Sequence, residues 1–252
     1  MSWTDALILF GTLLVCAIAL WLLQHFVPHR MRESHNDVAG FIFAAVGVLY
    51  AVLLAFVVVA VWQNVDSARQ TTFKEADALA GVYWISRELP LPVGSQVEHD
   101  TLEYATTVQG TEWPLLAKHR SSPQATQLVY DMRSKIFGFT PTDARQQVLY
   151  EHAVSHVEDL ASERRARLTE VDDSVPTIMW VALIAGGLLT VAFTYLFGLS
   201  NTLAHGLMVL TLTALVVVSL LLIKEMDFPF TGVTRVEPTA FEVFLSRLPP
   251  PR

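Results

Sequence analysis

Charge is scarce in this chain. Only 16% of its 252 residues are Asp, Glu, Lys or Arg, and 52% are hydrophobic; a soluble domain carries about 25% charge. The deficit is concentrated in four windows, residues 6–27, 38–62, 177–199 and 203–223, none of which holds Asp, Glu, Lys or Arg. Each is long enough to cross a bilayer. Cysteine is nearly absent. Cys16 stands alone inside the first window, which excludes an intramolecular disulfide and a cysteine-based metal site. Cations are outnumbered, 17 Lys and Arg against 24 Asp and Glu, so the balance of −7 argues against nucleic acid as a partner. Also missing are a Gly-rich phosphate loop, a G-x-S-x-G elbow and paired carboxylates in an apolar setting. Kinase and hydrolase chemistry have no foothold; no enzyme activity and no cofactor or metal are expected. Because the membrane windows lack Asp, Glu, Lys and Arg, a proton relay or a transporter's charged substrate site is disfavoured as well.

What is present is helix. The first window has no Lys or Arg ahead of it, is too long for a signal-peptide core, and shows no small-x-small cleavage site before Pro28. It reads as a retained membrane helix. The second window flows without Pro into a polar stretch that ends at Pro90, interrupted only by Gly81. The expectation is one helix of roughly fifty residues, on the order of 70 Å long. Four spans place both termini and residues 63–175 on one side. Arg69, Lys74, Arg164, Arg165, Arg167, Lys224 and Arg235 lie on that side, against Arg30 and Arg32 opposite. The positive-inside rule makes the richer side cytoplasmic and the membrane the bacterial inner, or plasma, membrane.

The polar region, residues 63–175, is expected to be helical throughout. Val65, Ala68, Thr72, Ala76, Leu79, Val82 and Tyr83 recur at three- and four-residue steps and form one buried stripe. A shorter helix is expected over residues 96–113. Ser122-Pro123 opens another, closed by Gly138. Thr140-Pro141-Thr142-Asp143 reads as a capping box for a helix of about thirty residues, with Leu149, Ala153, Val157, Leu160, Leu168 and Val171 as its stripe. Pro176 marks a break or kink near the third span. No strand-like alternation of useful length and no internal repeat is found. The fold class is therefore an all-α integral membrane protein, four transmembrane helices with a helical cytoplasmic insert continuing the second and third.

The tail, residues 224–252, begins with a turn-rich segment. It ends in a short helix with Phe241, Phe244, Leu245 and Leu248 on one face. That face either docks on the polar helices or lies on the membrane surface; its polar side is poor in Lys and Arg, which favours docking. The run Val48-Leu49-Tyr50-Ala51-Val52-Leu53-Leu54-Ala55-Phe56-Val57 continues with Trp62, Ala68, Glu75-Ala76 and Glu88-Leu89-Pro90. With the tail motifs Asp227-Phe228-Pro229-Phe230-Thr231-Gly232-Val233 and Val236-Glu237-Pro238, it resembles the bestrophin-like domain family over nearly the whole chain. The resemblance points onward to bestrophins, and so implies a homo-oligomer, pentameric by analogy, that conducts inorganic ions, with anions favoured and the second membrane helix nearest the pore. It supplies no residue-level selectivity motif.

Several residues have two readings. Gly40, Ala44, Gly47, Ala51 and Ala55 share one face of the second span, at steps of four, three, four and four. Small residues permit close helix packing; alternatively part of this helix faces a pore. In the pore reading Phe41, Phe43, Phe56, Val57 and Val59 are the candidates for an apolar neck that gates by dewetting. Gly186-Gly187 is a packing site or a helix break. His152 and His156 stand one turn apart, without a third ligand, as an interhelical pair or a weak metal site. His25, His29 and His35, with Arg30 and Arg32, either anchor the interface or form an anion-attracting vestibule. Arg164, Arg165 and Arg167 precede the third span and are expected to touch anionic lipid headgroups or to draw anions. Beyond the lipid bilayer, the alternative to a channel is a non-conducting scaffold or signalling protein acting through its cytoplasmic helices.

Overall fold

The computed structural model describes residues 3–27 and 29–249; the side chains of His29 and Arg30, part of the His/Arg cluster above, lie outside the described set. The elements are α1 (Trp3–Phe26), α2 (His29–Glu33), α3 (Asn36–Ser86), α4 (Val93–Thr107), a π-helical turn (Val108–Glu112), α5 (Trp113–Leu116), α6 (Pro123–Phe137), α7 (Ala144–Glu170), α8 (Thr177–Thr194), α9 (Thr202–Met226) and α10 (Thr239–Ser246). No strand occurs among the described residues. The chain divides into an apolar unit, Met1–Trp62 with Ser174–Asp227, and a polar unit, Gln63–Asp173 with Phe228–Arg252. The unbroken helix α3 contributes residues to both.

The apolar unit holds the four helices long and apolar enough to cross a membrane, α1, α3, α8 and α9. Both α1 and α8 pack along α9. Polar contacts tie each end. At one, Lys224 Nζ meets the buried Asp5 carboxylate at 2.7 Å. There the Asp227 carboxylate accepts from the Val175 amide (2.7 Å) and the Trp180 indole (3.2 Å). At the other, the Asn36 side chain both donates to and accepts from the Gly198 backbone, at 2.8 and 2.9 Å. The third apolar window runs to Leu199, yet α8 ends at Thr194, and Arg32 and Asn36 hold the turn that follows it. Asn201 then caps α9 by accepting from the Leu203 and Ala204 amides. Pro176 sits at the N-cap of α8, six residues after α7 ends at Glu170, so it marks a break rather than a kink, and α7 does not run unbroken into the third span. Gly186 and Gly187 are where Tyr50 enters. A Cβ at Gly186 would lie 2.7 Å from the Tyr50 ring, and one at Gly187 2.8 Å from its hydroxyl. The pair is a packing site.

The polar unit is built by α4 against α6, α6 against α7, and α10 against α4 and the π turn. The Ser122 side chain accepts from the Ala125 amide to start α6, with Pro123 at its first position. The start of α7 differs from the capping-box reading. Asp143 is the cap, accepting from the Gln146 amide at 2.8 Å, and Gln146 reaches back to the Thr142 amide at 3.0 Å. The pattern is a capping box displaced along the chain, because an Asp oxygen is the better acceptor at that position. The helix expected over residues 96–113 starts at Val93 and widens into the π turn before α5. Pro114 supplies a reason: it has no N–H for the Gly110 carbonyl and its ring clashes with that carbonyl in a regular helix, which a widened turn relieves. The tail helix docks, with Phe241 and Phe244 buried. Trp113 stacks edge-on against Phe230 and Phe241 and donates its indole N–H to the Val236 carbonyl at 3.0 Å.

Candidate functional site

Within the apolar unit α3 has two faces. Phe43, Tyr50, Leu54, Val57 and Val61 follow one another at steps of seven, four, three and four and turn inward. Tyr50, Val57 and Val61 are buried, and Phe43 packs on the rings of Phe193 and Phe197 at 6.2 and 5.7 Å. The opposite face is bare. Phe41 is 82% exposed, Phe56 71% and Val59 52%, with Val48, Leu49 and Val52 exposed between them. Ala44, Ala51 and Ala55 border this face and are also exposed, and Gly40 and Gly47 are half-buried. A Cβ on Gly47 would meet nothing within 4 Å. The small-residue stripe thus has no helix of this protomer packed tightly upon it. Of the five neck candidates, Phe41, Phe56 and Val59 lie on the open face; Phe43 and the 4% exposed Val57 lie on the packed one.

Four charged side chains meet in the core of the polar unit. Arg167 Nε and Nη2 donate to both Glu75 oxygens, at 2.5 and 3.0 Å, and Nη2 also reaches Glu112 at 2.8 Å. Arg164 grips Glu112 with two parallel bonds of 2.8 and 2.7 Å, the geometry that suits a guanidinium and a carboxylate. Tyr104 donates to Glu75 and accepts from Arg164. Ser122 donates its amide to Glu112, and Thr126 Oγ1 accepts from Arg164. The guanidinium of Arg167 lies 5.2 Å from the Trp113 ring and 6.0 Å from that of Phe241. All four charges are buried and their sum is zero. Burial pushes the Glu112 carboxyl up, but the two arginines outweigh it and hold it below its ordinary value. Burial, with the adjacent Glu75, pushes the Tyr104 hydroxyl well above its ordinary value. Burial alone lowers Arg167, yet Glu75 and its other partners carry it above its ordinary value.

The Bestrophin-like domain matches residues 10–241 of the sequence. The chain belongs to that family. Among solved structures it is similar to a bacterial bestrophin homologue from Klebsiella pneumoniae. One single-substitution crystal structure of that protein has 13% identity and a TM-score of 0.73, covering 98% of each chain. Another has 14% identity and a TM-score of 0.69, covering 94% of this chain and 98% of that one. A third, solved by zinc phasing, has 13% identity and a TM-score of 0.69, covering 93% and 95%. What is shared at this identity is the fold. No curated protein matches the sequence.

In this Bestrophin-like chain the three arginines before the third span do not act as a group. Arg165 is exposed, whereas Arg164 and Arg167 are buried against carboxylates. The reading of those two as headgroup contacts is therefore corrected: both are buried and ion-paired, Arg164 with Glu112 and Arg167 with Glu75 and Glu112. The signal was in the periodicity. The stripe expected for α7 runs 149, 153, 157, 160, 168 and 171, whereas the buried positions run 153, 157, 160, 161, 164, 167 and 171, so the two arginines take the place expected for Leu168. Glu75 likewise sits three residues after Thr72 and four before Leu79, on the α3 stripe. A charge at a stripe position is a buried charge in need of a partner. His152 is exposed and His156 is half-buried, its ring lying where a Cβ on Gly81 would stand.

Proposed function

We propose that this Bestrophin-like protein assembles into a homo-oligomeric ion channel whose path is bordered by the open face of α3. That face carries the reading. From Phe41 to Val59, about 27 Å of helix, it presents apolar or small side chains to the outside while the opposite side of the same helix is packed. Copies of such a face around an axis enclose an apolar neck, and an apolar neck gates by dewetting without charged groups. Five copies, and anions as the conducted ions, follow by analogy with bestrophins. Phe56 and Val59 are the neck residues, Phe41 stands at the α2 end of the face, and Phe43 and Val57 hold the wall from behind. The protein sits in the inner membrane with the polar unit and both termini in the cytoplasm, as the Lys and Arg bias requires.

Flux of anions from liposomes containing the purified protein tests the reading. Phe56→Ala widens the neck and raises flux with assembly intact, whereas Val57→Ala lowers stability and leaves flux per assembled channel unchanged. Equal flux in wild type and Phe56→Ala overturns the placement of α3. One observation favours a scaffold as the second reading: exposed Phe73 and Trp84 line a cavity of about 430 Å³ on the polar unit with Phe244 and Arg247, a surface suited to an apolar partner.

A further inference from the structure

Arg32, from the short helix α2, is treated differently from the buried arginines of the polar unit. It is 9% exposed. Its Nη1 donates to the carbonyls of Tyr195 and Phe197, both at 3.2 Å, in the turn that follows α8. A cation there also offsets the negative end of the α8 dipole, equivalent to about half a charge. That accounts for Nη1 and for part of the charge only. The Nε atom is buried and has no hydrogen-bond partner among the described residues. No carboxylate among them pairs with Arg32, and its sequence neighbours Glu33 and Asp37 are exposed. A guanidinium removed from water without a counter-charge is costly, and Arg164 and Arg167 show how this chain meets that cost when it has acids at hand.

We propose that Arg32 is an anion-binding residue that takes a phosphate group at Nη2, the terminal nitrogen that neither carbonyl uses. A guanidinium N–H donates to a phosphate oxygen in a charge-assisted hydrogen bond. Its position between the ends of the membrane-crossing helices α1 and α3 and beside the end of α8 is the level at which lipid headgroups lie. The phosphate belongs either to an anionic phospholipid or to free inorganic phosphate. This inference does not rest on the channel reading.

The full-length protein is compared as wild type, Arg32→Gln and Arg32→Lys. Gln can still donate to a carbonyl but carries no charge. Native mass spectrometry counts phosphatidylglycerol retained from nanodiscs of phosphatidylglycerol and phosphatidylcholine. Thermal unfolding in detergent is followed while inorganic phosphate is titrated at constant ionic strength. A lipid source gives roughly tenfold weaker phosphatidylglycerol retention in Arg32→Gln, as expected for the loss of one charge-assisted contact, with partial recovery in Arg32→Lys. A free-anion source gives a phosphate-dependent rise in Tm in wild type that is absent in Arg32→Gln. Identical lipid retention and identical phosphate response in wild type and Arg32→Gln overturn the proposal and leave Arg32 as a helix cap. If Arg32→Gln does not fold, wild type decides alone: no preference for phosphatidylglycerol over phosphatidylcholine and no response to phosphate overturn it equally.

Discussion

At the scale of single residues, the polar unit depends on charges that cannot be removed one at a time. Arg167 holds Glu75 and Glu112 together with no exposure. Arg167→Ala leaves the Glu75 carboxylate buried without a counter-charge, while Arg164 still pairs Glu112, and should cost about 3–5 kcal/mol. Arg165→Ala, two positions away on the exposed face, should stay within about 0.5 kcal/mol. Chemical unfolding in detergent compares them, and equal effects would contradict the buried network. The network also sets a pH dependence. Glu112 is held below its ordinary value, so its contribution is full above the unfolded carboxyl's range and is lost as pH falls through the lower, folded value. Glu170 has the opposite sign. Burial raises its carboxyl even though Ser67 and Thr71 donate to it at 2.8 and 3.1 Å, so its ionised form weakens the fold at neutral pH. Glu170→Gln should leave stability at pH 7 unchanged or raised. A clear loss of Tm would show that the ionised form is the one the fold requires.

At the scale of elements, what could be read from sequence depended on whether the cause was local. Four membrane helices follow from apolar runs of bilayer length, a requirement that no tertiary contact alters. The α6 boundaries follow from Ser122, Pro123 and Gly138, each acting within one turn. The π turn is harder to see, since Pro114 perturbs a carbonyl four residues earlier and the chain answers by widening rather than ending the helix. The ion network was hidden for another reason: its members come from α3, α4, the π turn and α7, and only the stripe positions of Glu75, Arg164 and Arg167 betray it. The close contact at Gly186 and Gly187 required knowing where Tyr50 points. Gly187→Ala drives a methyl into the Tyr50 hydroxyl and Val216 and should cost about 1–3 kcal/mol by overpacking. Asp143→Ala removes the α7 cap and should cost about 1 kcal/mol. Thermal unfolding of both variants checks this, and a neutral Gly187→Ala would mean that Tyr50 does not sit against α8.

At the scale of the whole molecule, the apolar unit exposes one face of α3 that its own helices leave bare, and the chain belongs to the Bestrophin-like family. Tightly packed small residues were one sequence reading of that helix and an apolar neck the other. The bare Ala44, Ala51 and Ala55 leave room for both in an oligomer, small residues meeting neighbouring copies and Phe56 and Val59 meeting the axis. Ala51→Phe should then disturb assembly while preserving helix content, as circular dichroism and size-exclusion chromatography would show. The most direct test of the central claim is the mass of the assembled particle, measured by native mass spectrometry in mild detergent. The account predicts a closed ring at a multiple of the 28.0 kDa chain, five-fold by analogy with bestrophins. A particle that remains a monomer or dimer across mild detergents has no axis for α3 to surround and would contradict it.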